Sequence, residues 1–337
     1  MRDREFAFTE VDKLIRERCE KILEKFGQIA VLGVKEPKLL AALEDVKKYW
    51  RDFNRPCLTF FSCEAVGGTY EISRDAALML TLASSGFGVH DDILDRSENK
   101  HLRMTILGLY GVDVALLVGD LLIVKAWTLA HELIRKTNTP IKIADILQVY
   151  GDLSVEICEA EFMETRCRQR VDTNLDFYED VLWKEVAEIE TCCRIGAMIG
   201  DGRTVEIEAL SDFGRRLGFI SRIADEVEDC LNLKGDLLHR IKYESVPLPL
   251  LYAAKSSNSK YRSIEKIVNK NEIQPSDMKS LLKFCRETNA FEYVRKLAKK
   301  KGEEAQRKLS FLRPSMARTM LLALIMQACA RVDKLCI

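Results

Sequence analysis

Helical periodicity runs through almost the whole chain and constrains its fold more than any other feature. Apolar residues recur at three- and four-residue spacing, and no segment shows the convincing two-residue alternation that is typical of a half-buried strand. Only seven prolines occur among 337 residues, and most lie where a periodic segment begins or ends, since a residue without a backbone N–H is tolerated there. Helices are predicted over residues 9–26, 37–51, 56–66, 72–95, 112–134, 141–168, 174–200, 203–232, 246–256, 276–287, 289–309 and 314–332, with a mobile loop at residues 255–262. The sequence therefore predicts an all-α fold, a single-domain antiparallel helical bundle spanning residues 1–337.

The composition allows one large core and excludes several classes of function. Hydrophobic residues make up 47% of the chain, and 52 basic residues balance 52 acidic ones, so no basic excess points to nucleic acid. The longest uncharged run, residues 76–89, is shorter than the roughly 20 residues that cross a bilayer, so no transmembrane segment is expected. The N-terminus mixes charges and has no apolar segment behind it, so no signal peptide is expected.

The eleven cysteines form neither a zinc pattern nor a disulfide pattern. Their number is odd, no two are spaced as Cys-x-x-Cys, and only four histidines could complete a zinc site. Most of them lie in apolar surroundings. We expect reduced, mostly buried thiols in a cytoplasmic protein.

The first candidate site is a cluster of aspartates, Asp91-Asp92-Ile93-Leu94-Asp95. On a helix, Asp91 and Asp95 lie one turn apart on the same face, with Asp92 beside them. Three carboxylates this close repel one another unless a cation lies among them, and magnesium prefers such oxygen ligands. An acidic cluster is also common on a solvated surface, so this motif alone leaves both interpretations open.

The residues before this cluster favour a binding site. Residues 76–89 carry no charge and end in small residues, Gly86 and Gly88 among them. Glycine inside a helix costs about 1 kcal/mol relative to alanine, so we expect a helix face that is open to a cavity. Phe87 precedes Asp91 by four residues, which is predicted to place its ring in that cavity about 5.4 Å below the carboxylates. The pattern predicts an apolar tunnel with Gly86 and Phe87 in its wall, suited to a ligand with an apolar tail and an anionic head.

The second candidate site is the acidic cluster Asp225-Glu226-Val227-Glu228-Asp229. It again has acids at positions i and i+4, and it follows the apolar, glycine-containing residues 217–223. Two such clusters, each at the end of an apolar helix, are a more specific pattern than one. Together they predict magnesium ions on both sides of one diphosphate, where the metals would neutralise a leaving group.

These motifs resemble those of the trans-isoprenyl diphosphate synthases, the polyprenyl synthetase family, from residue 50 to residue 255. The two clusters are similar to that family's two DDxxD motifs, and His90 matches the residue that commonly precedes the first. The remaining similarity is carried by Arg55-Pro56, Leu58, Gly67-Gly68, Gly119-Asp120-Leu121-Leu122, Glu159-Ala160-Glu161, Lys184, and Asp236-Leu237 through Lys242 to Pro247-Leu248-Pro249. The resemblance implies a homodimer of the isoprenoid synthase fold with a deep central pocket. In that family an allylic diphosphate ionises, and its carbocation alkylates isopentenyl diphosphate.

The resemblance also implies roles for individual residues. The implied Mg²⁺ ligands, for three ions, are Asp91, Asp92, Asp95, Asp225, Glu226 and Asp229. The implied catalytic residues are Asp91, Asp92, Asp225 and Lys184. Lys100 and Lys184 would bind the allylic diphosphate, whereas Arg55 and His101 would lie nearest isopentenyl diphosphate. The other substrate-binding residues would be Arg222, Lys242, Phe87 and Gly86.

Several positions depart from the family pattern, and they weaken the isopentenyl diphosphate site most. The family's GGKRLRP segment reads Trp50-Arg51-Asp52-Phe53-Asn54-Arg55-Pro56 here, without its lysine and its first arginine. Ser84 replaces an expected histidine, and Lys100-His101 replaces twin arginines. Glu185 replaces the threonine of the family's KT pair, and Arg222 replaces a glutamine. We expect an intact allylic metal site and weak use of isopentenyl diphosphate.

Three functions are open on the sequence alone. The favoured one is a prenyltransferase that makes short- to medium-chain polyprenyl diphosphates of about 15 to 25 carbons, with geranylgeranyl diphosphate favoured. The second is a terpene-cyclase-like or other class I enzyme that does not use isopentenyl diphosphate. Against a cyclase, four-residue steps from Asp225 lead to Asp229 and then to Leu233, which cannot bind a metal. The third is a regulatory subunit of a heteromeric prenyl synthase, although such a subunit need not keep buried acids, which are costly when unpaired.

Overall fold

The computed structural model describes residues 2–100, 103–136, 140–231, 236–270 and 272–336. The prediction of an all-α fold is confirmed, because these residues form sixteen helices and one two-stranded ribbon. In chain order the elements are α1 (Arg2–Val31), α2 (Pro37–Tyr49), α3 (Asn54–Ala65), α4 (Tyr70–Leu94), β1 (Asn99–Lys100), β2 (Arg103–Met104), α5 (Ile106–Tyr110), α6 (Val112–Lys136), α7 (Pro140–Thr165), α8 (Leu175–Glu185), α9 (Ala187–Ile199), α10 (Thr204–Leu231), α11 (Asp236–Tyr243), α12 (Leu248–Lys255), α13 (Asn258–Val268), α14 (Pro275–Glu287), α15 (Ala290–Leu309) and α16 (Met316–Leu335). Within the described ranges, no helix has both the length and the apolar character needed to cross a membrane.

The packing of the chain defines two compact units. The first comprises Met1–Tyr150, Thr191–Glu208 and Leu312–Arg318, and the second comprises Gly151–Glu190, Ala209–Phe311 and Thr319–Ile337. The first acidic cluster belongs to the first unit and the second cluster to the second unit. A single domain over residues 1–337 stays a prediction, and so does the deep central pocket.

Helix α4 is packed against α1, α3 and α6 in the first unit. Residues 76–86 are all buried, and a helix that is buried on every side has no polar face. The two hydroxyls of Thr81 and Ser85 donate to carbonyl oxygens of the preceding turn, each at 2.7 Å. Burial on all sides therefore explains the uncharged run in the sequence.

Gly86 marks a close approach of α4 to α6. A Cβ atom at Gly86 would lie 2.8 Å from the carbonyl oxygen of Gly119 and 2.7 Å from Cγ1 of Ile123. A Cβ atom at Gly119 would in turn collide with the ring of His90. The prediction that Gly86 lines the tunnel is corrected by this geometry, because the missing side chain leaves space for the neighbouring helix.

The single helix predicted over residues 174–200 is two helices in the second unit. Helix α8 ends at Glu185, and Val186 (φ −93°, ψ 15°) separates it from α9. Gly218 of α10 lies against this break, where a Cβ atom would be 2.7 Å from Cβ of Val186. The break places Lys184 and Glu185 in the last turn of α8.

A short ribbon follows the first acidic cluster, where no strand is predicted. Lys100 of β1 pairs with Arg103 of β2 in antiparallel register. At its base, the Thr105 hydroxyl donates to the carbonyl oxygen of Ser97 at 2.7 Å, and the Thr105 N–H donates to the carbonyl oxygen of Glu98 at 2.9 Å. Strands of two residues are too short to give a periodic signal.

The mobile loop predicted at residues 255–262 is also wrong in part. Helix α13 begins within it, and the Ser257 hydroxyl accepts a hydrogen bond from the Lys260 N–H at 3.2 Å. Serine in this position satisfies a helix N–H that would otherwise have no partner. The polar composition therefore marks a helix cap.

Candidate active site

The three aspartates of the first cluster lie at the C-terminal end of α4. Asp91 and Asp92 belong to its last turn, and Asp95 is the residue at which the helix ends. The side chains of Asp91 and Asp92 are 35% and 14% exposed, and Asp95 is buried. The end of the helix dipole adds partial negative charge there. The local structure thus concentrates negative charge at one helix end.

One cation of the chain itself lies between two of these carboxylates. Nζ of Lys100 is 3.0 Å from Oδ2 of Asp91 and 2.8 Å from Oδ1 of Asp92. Burial raises the pKa of Asp92, and Lys100 opposes that effect. Burial alone would lower the pKa of Lys100, but Asp91 and Asp92 together raise it above its ordinary value. The ion pairs are therefore partly desolvated and strongly coupled.

The position of the ammonium is evidence that this site fits a metal ion. The carboxylates of Asp91 and Asp92 both point at one positive charge, and oxygen donors of this kind suit Mg²⁺. Across the described ranges, no group of three or more His, Cys, Asp or Glu side chains is already arranged to hold a metal. The fit rests on two carboxylates, and metal binding by Asp95 stays a prediction.

The second cluster also carries ion pairs with basic residues. Oδ1 of Asp225 lies 2.7 Å from Nη1 of Arg331 on α16, and the same guanidinium pairs with Glu228. Oδ2 of Asp229 accepts from Nη1 of Arg240 at 3.1 Å. Burial raises the pKa of Asp229, and Arg240 opposes that effect. Metal binding by Asp225 and Asp229 stays a prediction.

Glu226 occupies a different environment from its acidic neighbours. It is fully buried, and Oε1 accepts from the Tyr178 hydroxyl at 2.5 Å and from Nη2 of Arg240 at 2.7 Å. Oε2 accepts from the N–H of Leu248, the first residue of α12, at 2.8 Å. Both oxygens are therefore used by protein donors. This geometry corrects the prediction that Glu226 binds metal, and indicates a structural carboxylate that anchors a helix N-terminus.

Arg240 joins several acids in the interior of the second unit. Its side chain is 3% exposed and forms ion pairs with Glu226, Asp229 and Glu244. The network continues from Tyr178, whose hydroxyl lies 2.7 Å from that of Ser245. A buried charge of this kind needs compensating partners. Arg240 therefore holds Asp229 in place.

Glu164 extends this network towards the end of α8. Its Oε1 accepts from the Ser245 hydroxyl at 2.7 Å. Burial and the neighbouring Glu185 raise the pKa of Glu164 to about 7, although Arg222 and Arg240 oppose the rise. Glu164 is therefore partly protonated near neutral pH, which reduces repulsion among the acids.

Two departures from the family pattern pair with each other. Nε of Arg222 donates to Oε2 of Glu185 at 2.6 Å, and its Nη2 lies 3.4 Å from Oε1 of Glu164. The i+4 partner that the sequence offers, Glu226, is occupied by other donors. The Glu185 side chain is 8% exposed, so each charge requires the other. The substitutions at these two positions are therefore complementary, and a substrate role for Arg222 stays a prediction.

Besides Lys100, two other lysines are predicted to bind substrate, and they differ in their surroundings. Nζ of Lys184 donates to Oε2 of Glu159 at 2.7 Å. Both residues belong to segments that are similar to motifs of the family, so these two segments are in contact. Lys242 is exposed, with its Nζ 5.1 Å from the centre of the Tyr243 ring. Their roles in binding substrate stay predictions.

Arg55 is paired with an acid from the segment that departs most from the family. Its Nη1 donates to Oδ2 of Asp52 at 3.0 Å, and the Asp52 side chain is 11% exposed. The carboxylate thus neutralises the arginine that the resemblance places near isopentenyl diphosphate.

Phe87 is half-buried, and its role in the tunnel stays a prediction. His101 lies outside the described residues.

The sequence interpretation missed the partners that these site residues have. Glu185 and Arg222 both depart from the family pattern and carry opposite charges. This combination is a signal in the sequence that could have suggested an ion pair. Asp52 replaces a lysine three residues before Arg55, so an acid and a base lie close together in the chain just where α3 begins. Nothing in the sequence indicates that Arg240 and Arg331 contact the second cluster, because both contacts depend on tertiary packing.

Comparison with known proteins identifies the family. The polyprenyl synthetase family matches residues 48–285. A short chain isoprenyl diphosphate synthase of Methanothermobacter thermautotrophicus is 29% identical over an alignment of 219 residues. The alignment covers 63% of this chain and 66% of that relative, just under two thirds of its length. A geranylgeranyl diphosphate synthase of Methanosarcina mazei is 26% identical over 80% of this chain and 82% of its own. The crystal structure of geranylgeranyl pyrophosphate synthetase from Pyrococcus horikoshii gives a TM-score of 0.81 at 26% identity, covering 96% of this chain and 99% of that one. The chain therefore belongs to the polyprenyl synthetase family.

Proposed function

We propose that this chain is a Mg²⁺-dependent trans-prenyltransferase that condenses an allylic diphosphate with isopentenyl diphosphate. The proposed product is a polyprenyl diphosphate of about 15 to 25 carbons, with geranylgeranyl diphosphate favoured. Family membership supports the reaction class, and relatives named short chain isoprenyl diphosphate synthase and geranylgeranyl diphosphate synthase support the product class. The observation that carries the proposal is the pair of carboxylates, Asp91 and Asp92, that converge on one cation at the end of the apolar helix α4.

The proposed chemistry assigns a task to each charged group. Bound magnesium, proposed as three ions, would neutralise the diphosphate as the allylic carbon–oxygen bond breaks and its electron pair leaves with the diphosphate. The double bond of isopentenyl diphosphate then forms the new carbon–carbon bond, and loss of a proton restores a double bond. The proposed metal-holding residues are Asp91, Asp92, Asp95, Asp225 and Asp229. Lys100 and Lys184 would donate charge-assisted hydrogen bonds to the diphosphate oxygens.

A labelling experiment tests this proposal. The protein is incubated with Mg²⁺, radiolabelled isopentenyl diphosphate and allylic primers of increasing length, and the products are separated by chromatography. We expect labelled polyprenyl diphosphates whose formation stops when a chelator removes the metal. Absence of label from every product would contradict the proposed condensation.

The ion pair between Asp52 and Arg55 favours a second candidate, an enzyme that ionises the allylic diphosphate without using isopentenyl diphosphate. The pair places a nearly buried carboxylate beside an arginine expected to bind that substrate. A carboxylate repels a diphosphate, so the proposed synthase should have a high Michaelis constant for isopentenyl diphosphate. Allylic diphosphate that is consumed without incorporation of label would favour the second candidate.

Phe87 is proposed to limit the length of the product. It lies one helical turn, about 5.4 Å, from Asp91, close to the span of one five-carbon unit. Phe87→Ala is expected to shift the products towards longer chains, and Ala83→Phe, one turn further from the metals, towards shorter ones. Chromatographic product lengths measure both shifts.

Gly86→Ala serves as the control for this prediction. Because a Cβ atom there would meet Gly119 and Ile123, we expect a loss of stability of about 1–3 kcal/mol, with no specific change in product length. If neither Phe87→Ala nor Ala83→Phe changes the product distribution, the growing chain does not run along α4.

We also propose that the chain forms a homodimer through the exposed face of α6. That face presents large apolar side chains that are between 38% and 61% exposed: Val112, Leu116, Leu117, Val124 and Trp127. An apolar patch of this kind on one helix marks an interaction surface. In a twofold-symmetric dimer, helix α6 of a second copy would cover this face, because both copies use the same surface.

Val124→Glu tests the proposed dimer. In sedimentation velocity, the wild-type chain is expected at about twice its 38.5 kDa mass, whereas Val124→Glu is expected as a monomer. Leu32→Glu, at a residue that is 70% exposed outside α6, is the control and should remain dimeric. A monomeric wild type, or a dimeric Val124→Glu variant, would contradict the assignment.

A cytoplasmic location is proposed from the cysteines. All eleven are free thiols, and eight of them are buried. Reduced thiols persist in the reducing environment of the cytoplasm.

A further inference from the structure

The first acidic cluster is paired with a cation that belongs to the chain itself, the ammonium of Lys100. Lys100 belongs to β1, which is held in register by β2 and closed at its base by Thr105. Its Nζ lies at hydrogen-bond distance from both Asp91 and Asp92. The ammonium therefore lies between two of the carboxylates that are proposed to hold the metal ion.

A metal ion and the ammonium compete for these two carboxylates. The two aspartates and the lysine together carry one net negative charge, so a divalent ion added to them would leave a net positive charge. Like charges at such short range repel strongly in a partly desolvated site. Magnesium also requires oxygen ligands at about 2.0–2.1 Å in near-ideal octahedral geometry, which an ammonium bound to the same oxygens obstructs. Metal binding therefore favours displacement of Lys100.

The side chains have the freedom that such a displacement requires. The Lys100 side chain is 38% exposed and that of Asp91 is 35% exposed. The ammonium is carried on a flexible four-carbon stem, so it can turn away while the backbone of β1 stays in place. A diphosphate oxygen beside the metal would offer it a new anionic partner.

We propose that Lys100 is an internal counter-ion of the first metal site, which holds Asp91 and Asp92 together before metal binds and turns to the diphosphate when metal takes the carboxylates. This inference rests on the proposed function, because it assumes that metal binds at these aspartates. It makes metal and diphosphate binding cooperative: the metal releases the lysine that the diphosphate needs, and the diphosphate draws away the cation that competes with the metal. Such coupling is reciprocal.

Arg331 makes a similar contact with Asp225 in the second cluster. The two side chains are 43% and 51% exposed, so solvent screens that pair more strongly. The inference is therefore made for Lys100, because its partner Asp92 is only 14% exposed.

Metal binding without substrate is the first measurement. Mn²⁺ is titrated into the full chain, and free Mn²⁺ is followed by electron paramagnetic resonance. Lys100→Met is expected to bind Mn²⁺ about five- to thirtyfold more tightly than the wild type, because charge-assisted contacts that compete with the metal are lost. Lys100→Arg, which keeps the charge, should stay within about threefold of the wild type. Lys38→Met removes an exposed lysine of α2 and should leave the affinity unchanged.

Diphosphate binding is the second measurement and separates this role from a purely structural one. Inorganic diphosphate is titrated calorimetrically at saturating Mg²⁺. Lys100→Met is expected to bind it about tenfold more weakly, because one charge-assisted contact is lost. If Lys100 only maintained the structure, its removal would weaken the binding of both Mn²⁺ and diphosphate. If it is the proposed counter-ion, its removal strengthens Mn²⁺ binding and weakens diphosphate binding.

The Asp91→Asn variant shows whether Mn²⁺ binds at the first acidic cluster. It thereby separates failure of the proposed function from failure of the counter-ion role. If no Mn²⁺ site of the wild type depends on Asp91, the metal site of the proposed function is absent and this inference falls with it. If that site exists but Lys100→Met binds Mn²⁺ no more tightly than the wild type, the counter-ion role is overturned while the proposed function stands. Helical circular dichroism of each variant confirms that the comparison is between folded proteins.

Discussion

Asp92→Asn is expected to lower kcat/KM by about 10²–10³-fold while the helical fold stays intact. Asp92 lies in the last turn of α4, and its carboxylate is one of the two that converge on the Lys100 ammonium. Losing this charge removes a proposed ligand of the metal that stabilises the leaving group. We expect Asp91→Ala and Asp225→Ala to act in the same way. Initial rates of label incorporation measure the effect, and circular dichroism measures the fold.

Asp176→Asn is the matched control for this prediction. Asp176 is an exposed acid in the first turn of α8, so its loss should leave kcat/KM unchanged. Full activity of Asp92→Asn, or activity of the wild type that a chelator does not reduce, would rule out the proposed metal mechanism.

Arg240→Leu is expected to lower the free energy of unfolding by about 3–5 kcal/mol, because it leaves buried carboxylates without their partner. The guanidinium is 3% exposed and contacts Glu226, which is fully buried, and Asp229. Urea denaturation followed by circular dichroism measures the loss. Adding Glu226→Gln to Arg240→Leu should recover part of it, because the uncompensated charge is then removed.

Arg295→Leu provides the comparison for a surface pair. Arg295 is 46% exposed and pairs with Glu292 at 2.6 Å, so its loss should cost no more than about 1 kcal/mol. Equal effects of Arg240→Leu and Arg295→Leu would show that the buried network does not stabilise the second unit.

Much of the fold was predictable because helices follow local rules. The apolar period and the prolines indicate where helices lie, and the ends of α2, α4, α6 and α15 fall close to the predicted bounds. The break at Val186 was not predictable from periodicity, because it depends on the approach of Gly218 from another helix. The ribbon formed by Asn99–Lys100 and Arg103–Met104 was missed because its strands have two residues each.

The two acidic clusters were visible in the sequence because their members lie close together in the chain, and their roles as metal ligands stay predictions. What a single sequence cannot supply is the partner of each charge. Gly86 was read as a cavity wall, although it allows α6 to approach, and Glu226 was read as a ligand, although it anchors α12. Both errors have the same cause. The sequence does not specify whether a glycine or a carboxylate in a motif faces a substrate or a neighbouring helix.

The central claim is that this chain transfers an ionised allylic group to isopentenyl diphosphate. The most direct test measures, in one reaction at saturating isopentenyl diphosphate, the label incorporated and the inorganic diphosphate released. The proposed condensation predicts one isopentenyl unit incorporated for each diphosphate released, with both dependent on Mg²⁺ and both lost in Asp92→Asn. Magnesium-dependent release of diphosphate without incorporation of label would contradict the claim.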